Sequence, residues 1–325
     1  MSNIKKYNIF IMLSTIARNM VEIFSSVLLY KMGYSLKEIL LFFTILYFVG
    51  GIISVIVIYL TKYINAKYIL ILSSIIFSGS FYFMSTMDKT ISNLIIFSNI
   101  GLIVAPIIVS YVTKRLSLIV LAIIVIILSV LAIIPLFKLD IKESNIPIKY
   151  QKIEKNKLLF FILEQAKVIN LSLQPLYLYL FINNKIEYVG IFNAIMGVSA
   201  CVFIYFFVRK IDDNKYFKYL NILFCVILLL KLNITSKYLI LAIGFFEGLG
   251  IKMFEIVSAE NIYNIRKDTN IKGYIILVEI IFCFTRSIFC LIGYFINDIK
   301  IILYISIVLI FIISFIKRKE VKDIS

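Results

Sequence analysis

Long apolar stretches, separated by short polar segments, follow one another along the whole chain. An α-helix needs about 20 apolar residues to cross a hydrocarbon core roughly 30 Å thick, and most of these stretches have about that length. The pattern predicts an all-α polytopic membrane protein with eleven spanning helices. We place these helices at residues 7–31, 37–61, 67–86, 90–112, 116–137, 158–182, 187–208, 216–231, 237–258, 273–296 and 299–316.

The composition supports a membrane environment. Of the 325 residues, 62% are apolar, and the mean hydropathy is +1.02, whereas soluble globular chains are about 45–50% apolar. The chain has a net charge of +16. A strongly positive charge is also typical of nucleic-acid-binding proteins. Here, however, the lysines lie mainly in the short segments between apolar stretches, as the positive-inside bias of membrane proteins predicts. We therefore expect the lipid bilayer as a partner and no nucleic acid.

The residue types that support metal or enzyme chemistry are scarce. Histidine, the commonest metal ligand and proton relay, is absent. The aspartates lie outside the apolar stretches, and no metalloprotease or phosphate-binding-loop motif occurs. We expect no enzyme activity, no cofactor and no metal site. The cysteines lie within apolar stretches without metal-ligand spacing and are interpreted as small core residues: Cys201, Cys225, Cys283 and Cys290.

The two halves of the chain show weak self-similarity. An offset of 149 residues aligns the first two apolar stretches with the sixth and seventh without a gap, and Tyr30 then meets Tyr179. Near the end of each half the offset is 183, where Tyr111 meets Tyr294. The first half is therefore shorter by about one helix and its loop. An internal repeat of this kind is typical of transporter folds and makes the missing helix the fourth of six.

The repeat predicts a domain organisation in two helical halves. Residues 1–137 form an N-terminal half of about five spans, and residues 158–325 form a C-terminal half of six. Residues 138–157 between them are the longest polar stretch and are rich in lysine. The positive-inside bias predicts that this central loop is cytoplasmic.

Two nominally six-helix halves joined by a basic loop resemble the major facilitator superfamily. The loop after the second helix keeps Lys62 and Lys67 as basic positions of the family's loop motif. The stretch "GLIVAPIIVS" is similar to the family's exporter motif, with Gly101 and Pro106 matching and Ala105 in place of a glycine. Because small residues let helices approach closely, Gly101, Ala105 and Pro106 are expected to form a helix-packing motif.

The resemblance implies a secondary active transporter that moves a small organic solute by alternating access. It implies a multi-pass location in the cell membrane, which we take to be a bacterial cytoplasmic membrane. The exporter-like motif implies export, and we expect proton coupling in an antiporter that works as a monomer. The resemblance also implies that the first, fourth, seventh and tenth of twelve nominal helices line the cavity.

Ionisable residues inside the apolar stretches are the candidate site. Each would cost about 2.5–3.5 kcal/mol near the bilayer centre on insertion scales, so they are expected to face the protein interior or water, and to pair. Residues three, four or seven apart share a helix face. The spacing therefore predicts four ion pairs: Arg18–Glu22, Glu164–Lys167, Lys252–Glu255 and Glu279–Arg286.

Two roles for these residues remain open. In the first, they line a substrate cavity in which a glutamate takes up the coupling proton. In the second, they lock helices together. The helices that the resemblance assigns to the cavity carry most of the charges, which favours a pathway. We expect a substrate or proton pathway formed by Arg18, Glu22, Lys167, Gln174, Glu247 and Arg286, and supporting ion pairs that involve Glu164, Lys252, Glu255 and Glu279.

An odd number of spans supports a rival hypothesis. If Lys5 is cytoplasmic and all eleven stretches span, the lysine-rich central loop would lie outside, against the positive-inside bias. Either one segment of the first half does not span, or the N-terminus is extracellular. The missing helix also removes part of the expected cavity wall. The alternative to a transporter is therefore a degenerate, truncated or non-transporting membrane protein of the same fold.

Overall fold

A computed structural model describes residues 9–16, 19, 23–60, 105–106, 108–109, 118–137, 153–207, 214–263 and 271–316. Every regular element within these ranges is helical, as the sequence predicts. Residues 9–16 are also helical and precede α1. The helices are α1 (Ser25–Lys31), α2 (Leu36–Leu60), α3 (Leu118–Phe137), α4 (Lys155–Tyr177), α5 (Ile186–Phe207), α6 (Asn214–Asn233), α7 (Lys237–Tyr263), α8 (Ile271–Ile296) and α9 (Ile299–Ile313).

The helix bounds follow the apolar pattern within about five residues in most described segments. The predicted segment 7–31 is an exception, because residues 23–24 form a turn and the helix after it, Ser25–Lys31, has only seven residues. The predicted segments 37–61, 187–208 and 299–316 correspond to α2, α5 and α9. The predicted segment 67–86, most of 90–112 and most of the central loop lie outside the described residues. The division into two halves, with a missing helix in the first, therefore stays a prediction.

The end of α1 has a glycine-dependent cap. Gly33 has a φ of +94°, which side chains other than glycine rarely adopt. This conformation lets the Gly33 amide donate to the Tyr30 carbonyl at 3.0 Å, while the Tyr34 amide donates to Leu29 at 3.2 Å. These two bonds form a Schellman motif, which satisfies carbonyls that the helix end would otherwise leave unpaired.

The start of α2 carries a capping box that the sequence pattern Ser-x-x-Glu encodes. The backbone amide of Ser35 donates to the Glu38 carboxylate at 2.7 Å, and the Ser35 hydroxyl donates to the same oxygen at 2.8 Å. In return, the Glu38 amide approaches the Ser35 hydroxyl at 3.4 Å. Because each side chain satisfies the other residue's backbone, the chain turns from α1 into α2 at a defined point.

The start of α9 is capped by Asp298, whose carboxylate accepts from the amides of Lys300 and Ile301 at 2.8 and 3.1 Å. Asp298→Ala removes this acceptor and is expected to lower the free energy of unfolding by about 1 kcal/mol. Thermal unfolding followed by circular dichroism in lipid nanodiscs would measure the change. Asp298→Ser is the matched control, since serine caps helices nearly as well; equal stability of the alanine and serine variants would contradict a capping role.

The polypeptide at the end of α4 changes its helical geometry. Pro175 lies inside α4, and residues Leu178–Ile182 form a turn of π-helix, in which the Asn183 amide donates to the Leu178 carbonyl at 3.0 Å. Turns of this kind are rare and occur often at functional sites. On this turn, the Tyr179 ring contacts the Tyr30 ring of α1 edge to face, with centroids 6.4 Å apart.

Helix α2 packs along α8 through small residues. A side-chain carbon at Gly51 would lie 3.3 Å from Cys283 Cβ and from a ring carbon of Phe284, so the glycine allows the close approach. The Ser287 hydroxyl of α8 donates to the Thr44 carbonyl of α2 at 2.9 Å. This hydrogen bond satisfies the serine within an apolar contact.

Helices α5 and α7 pack even more closely, through a Gly-x-x-x-Gly pattern on α7. A side-chain carbon at Gly244 would lie 2.8 Å from the Phe192 ring. At Gly248 it would overlap the Ser199 hydroxyl and the Met196 backbone carbonyl. Glycines four residues apart lie on one helix face and are a frequent means of close helix contact in membranes.

Helix α4 is the most buried polar helix of the described bundle. It packs against α1, α8 and α9. Asn170 of α4 donates to the Ser306 hydroxyl of α9 at 2.8 Å, and the Ser26 hydroxyl of α1 donates to the Ser172 carbonyl at 2.9 Å. An apolar environment favours such contacts because each polar group would otherwise remain unpaired. The fold therefore places a polar helix at its centre.

Three described helices are long and apolar enough to cross a membrane by length and composition: Leu36–Ile56, Ile186–Phe203 and Leu277–Ile296. Ile299–Ile313 is a shorter apolar helix. Large apolar side chains also face outward, among them Tyr238, which is 86% exposed, and Phe295, which is 75% exposed. Outward-facing apolar surface of this extent fits contact with lipid.

Candidate functional site

A buried cluster joins helices α4, α6 and α7. The ammonium group of Lys231 on α6 donates to the Glu247 carboxylate of α7 at 2.8 Å and to the side-chain oxygen of Gln174 on α4 at 3.0 Å. Lys231 is 1% exposed, and Glu247 and Gln174 are fully buried. We call these three residues the buried triad. The pairing neutralises the lysine and glutamate in an interior where isolated charges are very costly.

The surroundings of the triad fix its geometry. The Gln174 amide points its nitrogen toward the Met196 sulfur at 3.5 Å, so its oxygen is directed to Lys231. The Tyr177 hydroxyl donates to the Leu232 carbonyl at 3.2 Å and holds α4 to α6 beside the triad. One oxygen of the Glu247 carboxylate, Oε2, has no hydrogen-bond partner among the described residues. That oxygen is the position in the triad where a proton could bind.

Two further ion pairs form within single helices, as the spacing predicts. Lys167 lies 3.4 Å from Glu164 on α4, and both side chains are buried. On α7, Lys252 pairs with Glu255, whose side chain is 45% exposed. The Lys167 ammonium also lies 5.4 Å from the centre of the Phe254 ring on α7, within cation–π range. The Lys167–Phe254 contact therefore joins α4 to α7 at a position separate from the buried triad.

Arg286 has a different environment from the one that its spacing predicts. Its Nε donates to the side-chain oxygen of Gln165 on α4 at 2.7 Å. The guanidinium carbon lies 5.7 Å from the Tyr47 ring centre and 5.6 Å from that of Phe282. The predicted Glu279–Arg286 ion pair is wrong, since the described ion pairs do not include it and Glu279 instead lies 3.8 Å from the Cys283 sulfur.

The sequence gives Glu247 no ion-pair partner, and the structure supplies one from another helix. Its ion pair is with Lys231 on α6. Spacing along one helix cannot show which side chains a second helix brings close.

Several predicted site residues fall outside the described part of the chain. Arg18, Glu22 and Gly101 are among them. Asn19, which lies between the two predicted charges, is buried, and its Nδ2 has no hydrogen-bond partner among the described residues. Ala105 is described as helical and fully buried, as a packing position requires, and Pro106 is helical and buried beside it.

The described residues contain no group of three or more potential metal ligands among histidine, cysteine, aspartate and glutamate. The side chains that the structure brings together in the described region form hydrogen bonds and ion pairs. The triad contains an ion pair between Lys231 and Glu247, whereas the two Nη groups of Arg286 have no hydrogen-bond partner among the described residues.

Comparison with known proteins rests on structure. No protein-family model matches the chain, and no curated protein matches it by sequence. Three solved structures align with 97% of the chain. The nucleoside transporter NupG aligns over 98% of its own chain, with a TM-score of 0.65 and 14% identity.

The second structure is a bacterial homologue of the iron transporter ferroportin in an outward-facing state, with a TM-score of 0.58, 11% identity and 98% of its chain covered. The third is the major facilitator superfamily transporter FucP in an outward conformation, with a TM-score of 0.52, 10% identity and 99% of its chain covered. The chain has the major facilitator fold. Each of these proteins is described as a transporter or a transporter homologue, and none as an enzyme.

Lys231 is the site residue that sequence reasoning missed. It is the last residue of the predicted segment 216–231, which places it at the end of a helix rather than in a site. In the major facilitator fold of this chain, α6 continues to Asn233, so Lys231 lies inside a helix. The apolar run "CVILLLKLNI" continues on both sides of the lysine and is the sequence signal that could have found it.

Gln165 is the second site residue whose role was missed. The sequence alone assigns no role to this glutamine. In the structure, Gln165 is buried and its Nε2 donates to the Phe161 carbonyl at 3.2 Å. Its Oε1 accepts the hydrogen bond from Arg286 Nε. No pattern within α4 shows this, because the partner lies 121 residues later in the chain.

Proposed function

We propose that the chain is a secondary active transporter that moves a small organic solute across the cytoplasmic membrane by alternating access. One observation carries the proposal: a major facilitator fold over 97% of the chain encloses charged and amide side chains at its centre. Burying such groups in a membrane protein is costly, and they usually mark pathways or relays. The buried triad and Arg286 are the residues that we assign to the pathway.

Proton coupling is the form of energy input that the triad supports. Glu247 has one oxygen bonded to Lys231 and one without a partner among the described residues. A proton on that oxygen would neutralise the carboxylate and weaken its hold on Lys231, which would free a cation between α4, α6 and α7. Export is supported by the packing motif at Ala105 and Pro106, both of which lie in buried helical backbone.

The fold alone does not identify the transported substrate. One similar structure is a nucleoside transporter, and another is a homologue of an iron transporter. Such different cargo on one fold means that the side chains of the site decide the substrate.

A non-transporting protein of the same fold is the second candidate. The observation in its favour is that the triad and the two intrahelical pairs already satisfy one another, as locked helix contacts would. The predicted loss of one helix from the first half also favours it.

Flux measurements separate the two candidates. Purified protein in proteoliposomes with an imposed pH gradient is expected to move at least one solute from a panel of small carboxylates, nucleosides and organic cations. The matched variant is Lys231→Met with Glu247→Leu, which removes both charges together. Retained folding with lost proton-driven flux would assign the triad to coupling. Flux unchanged in the variant would make the triad structural, and no flux with folded wild-type protein would favour the non-transporting candidate.

A further inference from the structure

The Arg286 guanidinium lies where three helices meet. Arg286 belongs to α8, its Nε bond goes to Gln165 of α4, and Tyr47 of α2 lies within cation–π range. The side chain is only partly buried, whereas Gln165 is 1% exposed. Part of the Arg286 side chain therefore remains accessible, whereas its Gln165 partner does not.

The side chain is held in place before any ligand binds. Gln165 is itself fixed by its bond to the Phe161 carbonyl, so its oxygen is directed toward Arg286 Nε. Phe282 and Tyr47 border the guanidinium at 5.6 and 5.7 Å. Preorganisation of this kind lowers the entropy that a ligand must lose on binding.

The charge of Arg286 lacks a carboxylate partner in the described part of the chain. The cations Lys167, Lys231 and Lys252 each form an ion pair, whereas Arg286 forms none with a described carboxylate. Glu279, two turns earlier on α8, lies next to Cys283. An unpaired guanidinium in a membrane interior favours a bound anion, because the anion supplies the missing charge.

We infer that Arg286 binds the carboxylate of the transported solute end-on, through its two Nη groups. Gln165 occupies Nε, which leaves the Nη edge of the planar fork, and a carboxylate matches that edge with two parallel hydrogen bonds. The ring surfaces of Tyr47 and Phe282 favour an apolar or aromatic body on the solute over a strongly hydrated phosphate. The inference rests on the proposed transport function and names its substrate class: small aromatic or apolar carboxylates.

Benzoate is a suitable probe, and benzamide is its uncharged counterpart of the same shape. In equilibrium dialysis, the full-length protein in lipid nanodiscs is expected to bind benzoate. Its affinity for benzamide is expected to be lower by about tenfold or more. Arg286→Gln is expected to remove this preference. Arg286→Lys keeps the positive charge but loses the two parallel hydrogen bonds of the guanidinium, so it should bind benzoate with intermediate affinity. This variant also tests the inference if Arg286→Gln folds poorly.

Lys300→Gln is the matched control. Its ammonium lies 4.7 Å from the Phe181 ring centre, so it is also a cation beside an aromatic ring, but it lies at the start of α9. Benzoate affinity should be unchanged in this variant. Equal binding of benzoate and benzamide, an unchanged preference in Arg286→Gln, or no benzoate binding to folded wild-type protein would each overturn the inference.

The same variants separate this inference from the transport proposal. Arg286-dependent benzoate binding without flux of any solute would retain the site and reject transport. Proton-driven flux of solutes without a carboxylate, at the same rate in Arg286→Gln, would retain transport and reject the site.

Discussion

Replacing Lys231 by methionine is expected to lower the free energy of unfolding by about 3–5 kcal/mol, the largest loss of any single substitution considered for this chain. The variant leaves Glu247 fully buried with a carboxylate that no longer has its cation at 2.8 Å. It also leaves the Gln174 oxygen without its bond. A buried carboxylate in an apolar interior loses its hydration, and in this variant no ion pair or hydrogen bond replaces it. Thermal and denaturant unfolding in lipid nanodiscs would measure the loss.

The double variant Lys231→Met with Glu247→Leu tests the cause. Removal of both charges is expected to recover most of the stability, since well-packed apolar side chains often replace a buried pair at little cost. Lys252→Met is the matched single control: its partner Glu255 is 45% exposed and also interacts electrostatically with Lys167, so the loss should be smaller. If Lys231→Met and Lys252→Met were equally mild, the triad would contribute little to stability.

Gly248→Ala is expected to lower the free energy of unfolding by about 1–3 kcal/mol, or to prevent assembly of α5 against α7. The added methyl group would overlap the Ser199 hydroxyl and, more seriously, the Met196 backbone carbonyl. A side chain can rotate away, but a backbone carbonyl can move only with its helix. The same unfolding measurements apply.

Gly50→Ala serves as the control for Gly248→Ala. A side-chain carbon at Gly50 would lie 3.8 Å from the Cys283 sulfur, an ordinary van der Waals distance. Because alanine favours helices over glycine by about 1 kcal/mol, this variant should be neutral or more stable. Equal destabilisation by the two alanines would show that the α5–α7 contact can relax, contrary to the expectation.

The helices could be predicted from sequence because their apolar lengths are set by the bilayer. α5 and α9 begin and end within a few residues of the predicted segments. Capping patterns also follow local rules, as Ser35 and Glu38 show. Such features depend on residues a few positions apart, which the sequence displays directly.

The partners of the buried charges could be predicted only in part. Glu164–Lys167 is formed as predicted because both residues lie on one turn of α4. Lys231–Glu247 and Arg286–Gln165 join different helices, and their formation depends on how those helices pack. Spacing along α8 suggested Glu279 as the partner of Arg286. The structure instead places Gln165, on another helix, within hydrogen-bond distance of Arg286.

The contact between Tyr30 and Tyr179 has a consequence for the symmetry of the bundle. These tyrosines are also the two residues that the 149-residue offset makes equivalent. In an object with two-fold symmetry, a residue can contact its own counterpart only next to the rotation axis. For a repeat at this offset, the axis would pass between the end of α1 and the π-helical turn after α4. Because the pair would then join the two halves, any motion of one half against the other would change its ring contact.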